Sequence, residues 1–191
     1  MKGFRTIAGV VVVALFLVAA AGWSAFAQAA PKVPVVSDIH GRIRPGEAHV
    51  AFNLKNAFSP EMVEALKSGI EISFKTDIRI EVVRHGWFND TIGEAEVVRT
   101  VHFDALSRVY RLTRGGREEH IDDVFGALAG MTSYEVNIPV SSDPVPGNSY
   151  RVRIRTRLDR VGLTEPLRSI LFFSSLWDLE TPWARGYLAI Q

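Results

Sequence analysis

Between Ile70 and Val82 apolar and polar side chains alternate almost without interruption. Ile70, Ile72, Phe74, Ile78, Ile80 and Val82 share one face, and Glu71, Lys75, Arg79 and Glu81 share the other. A period of two belongs to a strand with one buried side; a helix brings side chains to one face only every three or four residues. The run of 13 residues exceeds the usual strand length of about 3–10, so a bend or bulge is expected near Thr76-Asp77. Such a strand needs partners, and the rest of the chain offers them.

Strand candidates follow at Val36 to Ile43, Ala48 to Asn56, Glu94 to Phe103, Val109 to Thr113, Tyr134 to Val140, Tyr150 to Leu158, Ser169 to Ser174 and Tyr187 to Ile190. Many short strands joined by short turns point to a mainly β, antiparallel β-sandwich, immunoglobulin-like in general architecture, or to a strongly curved sheet. Arg44-Pro45-Gly46-Glu47 separates the first two candidates and reads as a hairpin turn. L-Pro-Gly suits a type II turn and fits tight two-residue hairpins poorly, so a looser loop is expected. A pairing centred there sets Ile39 opposite Phe52 and Ile43 opposite Ala48 on the buried side. It leaves Asp38, His40, Arg42, His49 and Asn53 outside.

Two short helices complete the pattern. Ser59-Pro60-Glu61 carries a capping hydroxyl, a proline where no N–H is needed and an acid at the positive helix end. Lys67 and Gly69 close this helix. The second is expected over Ile121 to Ala129, with Ile121, Val124, Phe125 and Leu128 at helical spacing and Gly130 as its end.

The N-terminus is organised differently. Lys2 and Arg5 precede an uncharged run from Ile7 to Ala21, and Ala25-Phe26-Ala27 supplies small residues for cleavage. These are the parts of a secretory signal, so residues 1–27 are read as a signal peptide and 28–191 as a single β-rich exported domain, periplasmic or secreted. The alternative is an uncleaved inner-membrane anchor, since Ile7 to Ala27 approaches the ~20 residues of a span. Without residues 1–27 the chain keeps 20 basic and 21 acidic side chains, a net charge of −1. No bulk field favours nucleic acid or an anionic membrane. There is no cysteine, which excludes disulfides, thiol catalysis and thiolate metal sites, so an exported chain stands on its core alone. With 47% hydrophobic and 23% charged residues, collagen-like, disordered and multi-span classes are excluded too.

Three clusters invite a functional reading. Arg151, Arg153, Arg155 and Arg157 alternate with Val152, Ile154, Thr156 and Leu158, which lines four guanidinium groups along one strand face. Planar donor forks of this kind grip phosphates or sugar acids, so the row is an anion-binding candidate. The plainer reading pairs the arginines across strands with Glu71, Glu81, Glu94 or Glu96. Asp38, His40 and His49 share the outer face of the first hairpin and form the metal candidate, although Zn sites need an organised outer shell that a solvated sheet face seldom provides. Trp177, Asp178, Trp183 and Arg185 form a partner-binding candidate, because Trp and Arg dominate binding hot spots. The plainer reading has these aromatics close a core. His102, Asp104, His120, Asp122 and Asp123 read as loop charges and helix-start acids, and no catalytic residue or cofactor motif is recognised.

Three stretches together carry a family resemblance: Asn56-Ala57-Phe58-Ser59-Pro60-Glu61 running into Ala65-Leu66-Lys67-Ser68-Gly69-Ile70; Leu158-Asp159 with Gly162-Leu163-Thr164-Glu165-Pro166-Leu167; and Ser174-Ser175-Leu176-Trp177-Asp178-Leu179-Glu180-Thr181-Pro182-Trp183. In their order and spacing the chain resembles, from Val36 to Trp183, a family of small exported proteobacterial proteins known only as a domain of unknown function. The resemblance implies a signal peptide followed by one β-rich domain, and genes that often lie near those of membrane sensor kinases. It implies no catalytic residues.

The expected function is therefore that of a non-enzymatic envelope module that binds another envelope protein, with a membrane sensor as the candidate partner. A binder of anionic glycan or lipid headgroups through the arginine row is the first alternative. A metal-dependent hydrolase built on Asp38, His40 and His49 is the second.

Overall fold

A computed structural model describes residues 33–84, 89–159 and 179–191. The expected signal peptide, the strand expected at Ser169 to Ser174, and Trp177 and Asp178 lie outside the described residues. The strands are β1 (Val35–Arg44), β2 (Glu47–Lys55), β3 (Ile72–Val83), β4 (Asp90–Asp104), β5 (Val109–Arg114), β6 (Arg117–Ile121), β7 (Ser133–Pro139), β8 (Ser149–Leu158) and β9 (Ala184–Ile190). Helix α1 spans Pro60–Lys67 and α2 spans Val124–Thr132.

The strands join in one sheet of order β6-β5-β4-β3-β8-β9-β1-β2-β7, antiparallel throughout except for the β1–β9 pair. The described chain is mainly β with two helices, as its patterning indicates. The two stacked sheets of an immunoglobulin-like sandwich are replaced by one curled, mixed sheet resembling a half-barrel. β9 makes the difference: its first part pairs with β8 through Ala184 to Leu188 and its end pairs with β1 at Ala189 and Ile190. One strand thus stitches together what would otherwise be two sheets. The curl brings the segment after β7 against β4, where the Ser141 amide donates to the Ile92 carbonyl at 2.7 Å.

The long alternating segment becomes β3, the centre of the larger half, paired with β4 on one side and β8 on the other. Its inward side chains Ile72, Phe74, Thr76, Ile78, Ile80 and Val82 are buried beside Val152, Ile154 and Tyr150 of β8. Thr76 breaks the apolar run without breaking the strand, because its hydroxyl bonds that of Thr156 at 2.9 Å. The irregularity expected at Thr76-Asp77 lies farther along, where the β4 register shifts between Ile80 and Glu81 and leaves Ile92 as the extra residue.

The first hairpin has the expected register at Ile43 and Ala48, but its turn is tight. Arg44 pairs with Glu47 in the ladder and by side-chain ion pair, and Gly46 takes the positive φ of 83° that a type II turn asks of its third residue. Farther along, a bulge sets Asp38 and Ile39 opposite Phe52, with Asp38 at φ 54°. The bulge directs Ile39 onto β9 at Gly186, where a Cβ would collide with the Ile39 side chain.

Helix α1 forms as read: Ser59 accepts from the Met62 amide at 3.2 Å, and Met62 and Leu66 are buried under it. Helix α2 begins later than expected, because Ile121 is held in β6 opposite Tyr110 and Asp123 takes the capping position, accepting from the Gly126 amide at 2.9 Å. It also runs through Gly130, which is glycine for space: a Cβ there would strike Leu112. Ala127 and Met131 face the core, while Phe125, counted on the apolar side in the sequence, is 80% exposed.

Candidate functional site

The outer faces of β3, β8 and β9 carry the most concentrated polar chemistry among the described residues. Period-two geometry puts Tyr150, Val152, Ile154, Thr156 and Leu158 inward, so Arg151, Arg153, Arg155 and Arg157 must stand in a row outside. The β3 register then places Glu81 opposite Arg151, Arg79 opposite Arg153 and Asp77 opposite Arg155.

Each arginine of the row has an acid. Arg151 meets Glu81 at 2.6 Å and Arg153 meets the same carboxylate at 3.2 Å. Arg155 lies 3.2 Å from Asp77 and 3.1 Å from Glu180, and Arg157 also pairs with Asp77. Glu81 is itself only 5% exposed. Burial would raise its carboxyl pKa, but hydrogen bonds from Arg151 and Arg153 outweigh it and hold the group below the ordinary glutamate value. The ladder extends sideways, with Arg79 at 3.3 Å from Glu94 and Lys75 at 2.6 Å from Glu96. A shallow groove of about 340 Å³ runs over Asp77, Arg79, Glu94, Glu96, Arg155 and Arg157. Cross-strand pairing is thus what the arginine row does, through Glu81 as expected, and through Asp77 and Glu180, which the sequence reading did not assign. Glu94 and Glu96 serve β3 instead, and Glu71 pairs with none of the row.

Trp183 lies on this face and does not close the core. Its ring sits 4.8 Å from the guanidinium carbons of Arg153 and Arg155 and 5.2 Å from that of Arg79, half-buried across the ladder. The acids pair with the guanidinium groups, and the indole covers them by cation–π contact. Two residues on, Arg185 stands beside Arg153 in register, and Tyr187 beside Arg151. Arg185 is exposed and Tyr187 is 70% exposed. Trp183 and Arg185 of the partner-binding candidate therefore lie on one face; Trp177 and Asp178 lie outside the described residues.

The domain matches the family model described as a domain of unknown function, DUF4390, over residues 34–186. The chain belongs to this family. No curated protein matches the sequence.

The other candidates are arranged for structure. His40 and His49 sit diagonally on the hairpin as its register requires, since His40 opposes Ala51 and Arg42 opposes His49. Their side chains turn elsewhere: His40 Nδ1 donates to the Asp38 carbonyl at 2.8 Å, and His49 lies 2.9 Å from Asn137 Oδ1 and 3.2 Å from Glu135. The Asp38 carboxylate is taken by Lys55 at 3.1 Å and by Ser37 and Asn53, which lower its pKa. Among the described residues no group of three or more His, Asp or Glu is placed to hold a metal. Asp104 closes the β4–β5 turn by accepting from the Leu106 and Ser107 amides, and Asp123 caps α2. No helix of the described residues is long and apolar enough to cross a membrane.

Arg99 escaped the sequence reading. It lies on the inward side of β4, 5% exposed, and among the described residues no carboxylate forms an ion pair with it. Its guanidinium donates to the carbonyls of Gly130, at 2.6 Å, and Ser133 at the end of α2, and lies 3.7 Å from the centre of the Tyr134 ring. Burial pushes its pKa down and that of Tyr134 up. Its position on the apolar phase of β4, between Val97 and Val101, was the available signal.

Proposed function

We propose that this chain is a non-enzymatic protein-interaction module of the bacterial cell envelope, exported through its N-terminal segment, with the extracytoplasmic part of a membrane sensor as its partner. The observation that carries the reading is Trp183 laid over an arginine ladder already matched by acids. A face prepared in this way is rigid, aromatic and charged, the composition of a binding hot spot, and loses little conformational freedom when a partner docks. The acids committed to Arg151, Arg153, Arg155 and Arg157 weigh against the anion-grip reading, because a phosphate or sugar acid would first have to displace them.

The test is crosslinking in cells of a chain tagged at its C-terminus, followed by purification from the envelope and mass spectrometry. One recurrent protein at near-stoichiometric yield, lost in Trp183→Ala while the domain stays folded, is expected. Recovery of the tagged chain alone would overturn the reading.

A further inference from the structure

The outer face of β9 and the neighbouring end of β1 hold cations that the ladder does not match. Arg185 and Arg42 are exposed and form no ion pair with any described residue. Arg42 pairs in register with Ala189, so Arg185, Tyr187, Ala189 and Arg42 share one side of the sheet by strand alternation. The acids around them are committed. Glu81 is held by Arg151 and Arg153, Glu180 by Arg155, Glu47 by Arg44 and Glu135 by His49. Ala189 is small and exposed beside Arg42, and Tyr187, 70% exposed, stands between the levels of the two arginines.

We infer that this β9–β1 face docks an acidic, extended protein segment, its carboxylates set on Arg185 and Arg42 and its backbone or an apolar side chain against Tyr187. This rests on the protein-interaction reading and names the partner's chemistry. Four residues of strand separate Arg185 from the Ala189–Arg42 row, about 13 Å, so the matching segment carries two acids about four residues apart when extended. A flat bilayer surface fits less well, because the chain without residues 1–27 has a net charge of −1 and, among the described residues, only these two guanidinium groups are unmatched on the face.

The experiment places a photo-crosslinking phenylalanine analogue at Tyr187 of the full chain in cells, and at Phe125 of α2 in a parallel strain. The crosslinked peptides are sequenced by mass spectrometry, and purified chain is tested for flotation with phosphatidylglycerol vesicles. Position 187 is expected to capture a segment rich in Asp and Glu, with yield falling at least tenfold in the Arg42→Glu, Arg185→Glu double variant and retained in the double lysine variant. Capture of a neutral or basic segment at 187, or yield indifferent to the charge reversal, overturns the inference and leaves the interaction reading intact. Capture from Phe125 alone moves the docking surface elsewhere and overturns it equally. Flotation with vesicles and no protein captured at either position overturns both.

Discussion

Arg99 and the arginines of β8 stand on opposite sides of one sheet and are satisfied by different chemistry. Inside, Arg99 meets two backbone carbonyls and the face of Tyr134, and forms no ion pair with a carboxylate of the described residues. Outside, Arg151 to Arg157 meet carboxylates on β3 and at Glu180, and Trp183 lies across them. The interior arginine joins elements distant in sequence, since β4 is bonded through it to the end of α2. The exterior row joins neighbouring strands that backbone pairing already holds. Removing an arginine should therefore cost most where the guanidinium is the connection and least where it decorates one.

The widest break in that comparison is Arg99→Ala. It removes a buried charged donor from two carbonyls at the end of α2 and opens space beside Tyr134, and a loss of about 2–4 kcal/mol is expected in urea unfolding. Arg99→Lys should recover only part of this, because one ammonium lacks the fork that reaches Gly130 and Ser133 together. Indifference to Arg99→Ala would mean that α2 is held by Ala127 and Met131 alone.

Glu81→Gln comes next, leaving Arg151 and Arg153 half-buried without their shared anion, at a cost of about 1–3 kcal/mol. Acid sharpens the same point. The folded Glu81 carboxyl titrates below the ordinary 4.5, so its contribution is complete above that value and disappears as pH falls below it. Unfolding followed from pH 7 to pH 3 should show a shallower acid limb in Glu81→Gln than in the parent chain. Equal limbs would place the acid sensitivity in other carboxylates, such as that of Asp104, which its turn amides and Arg111 also hold low.

Trp183→Ala should cost about 1–2 kcal/mol in thermal unfolding, as expected for partly solvated cation–π contacts with three guanidinium groups. Smallest is Arg185→Ala, whose exposed guanidinium forms no ion pair with a described residue, and it should leave stability within about 0.5 kcal/mol while partner capture at position 187 falls. A fold loss from Arg185→Ala comparable to that from Trp183→Ala would erase the distinction between the matched ladder and the unmatched arginine beside it.

Some of this arrangement was legible in the residues. The alternation of Ile72 to Val82 and of Tyr150 to Leu158 is a local property of each strand, and it assigned the inner and outer faces without knowledge of partners. The caps of α1 were legible for the same reason, because Ser59 and Met62 are three residues apart. Strand β6 was missed because Arg117-Glu118-Glu119-His120 is almost wholly polar, an edge strand with no buried alternation to advertise it. Helix α2 was misplaced because Gly130 reads as a stop until Leu112, from another strand, is seen lying against it. Arg99 stands on the apolar phase between Val97 and Val101, which marks it as inward-facing, but nothing near it in sequence marks two carbonyls from another element as its partners.

The sequence by itself determined that this chain is mainly β with two short helices, that four arginines line one strand face, and that an acid-matched ladder was available to them. Those properties depend on side-chain alternation and on caps spanning three or four residues, which chain-local geometry imposes. Only the tertiary structure decided that the strands join in one curled sheet, that Asp77 and Glu180 are the ladder's acids, that Trp183 lies on its outer face, and that Arg42 shares a face with Arg185. Each of these follows from strand order and register, which are set by packing between segments far apart in sequence. The passage of β9 from β8 to β1, with Ile39 seated against Gly186, is the event on which the last two depend.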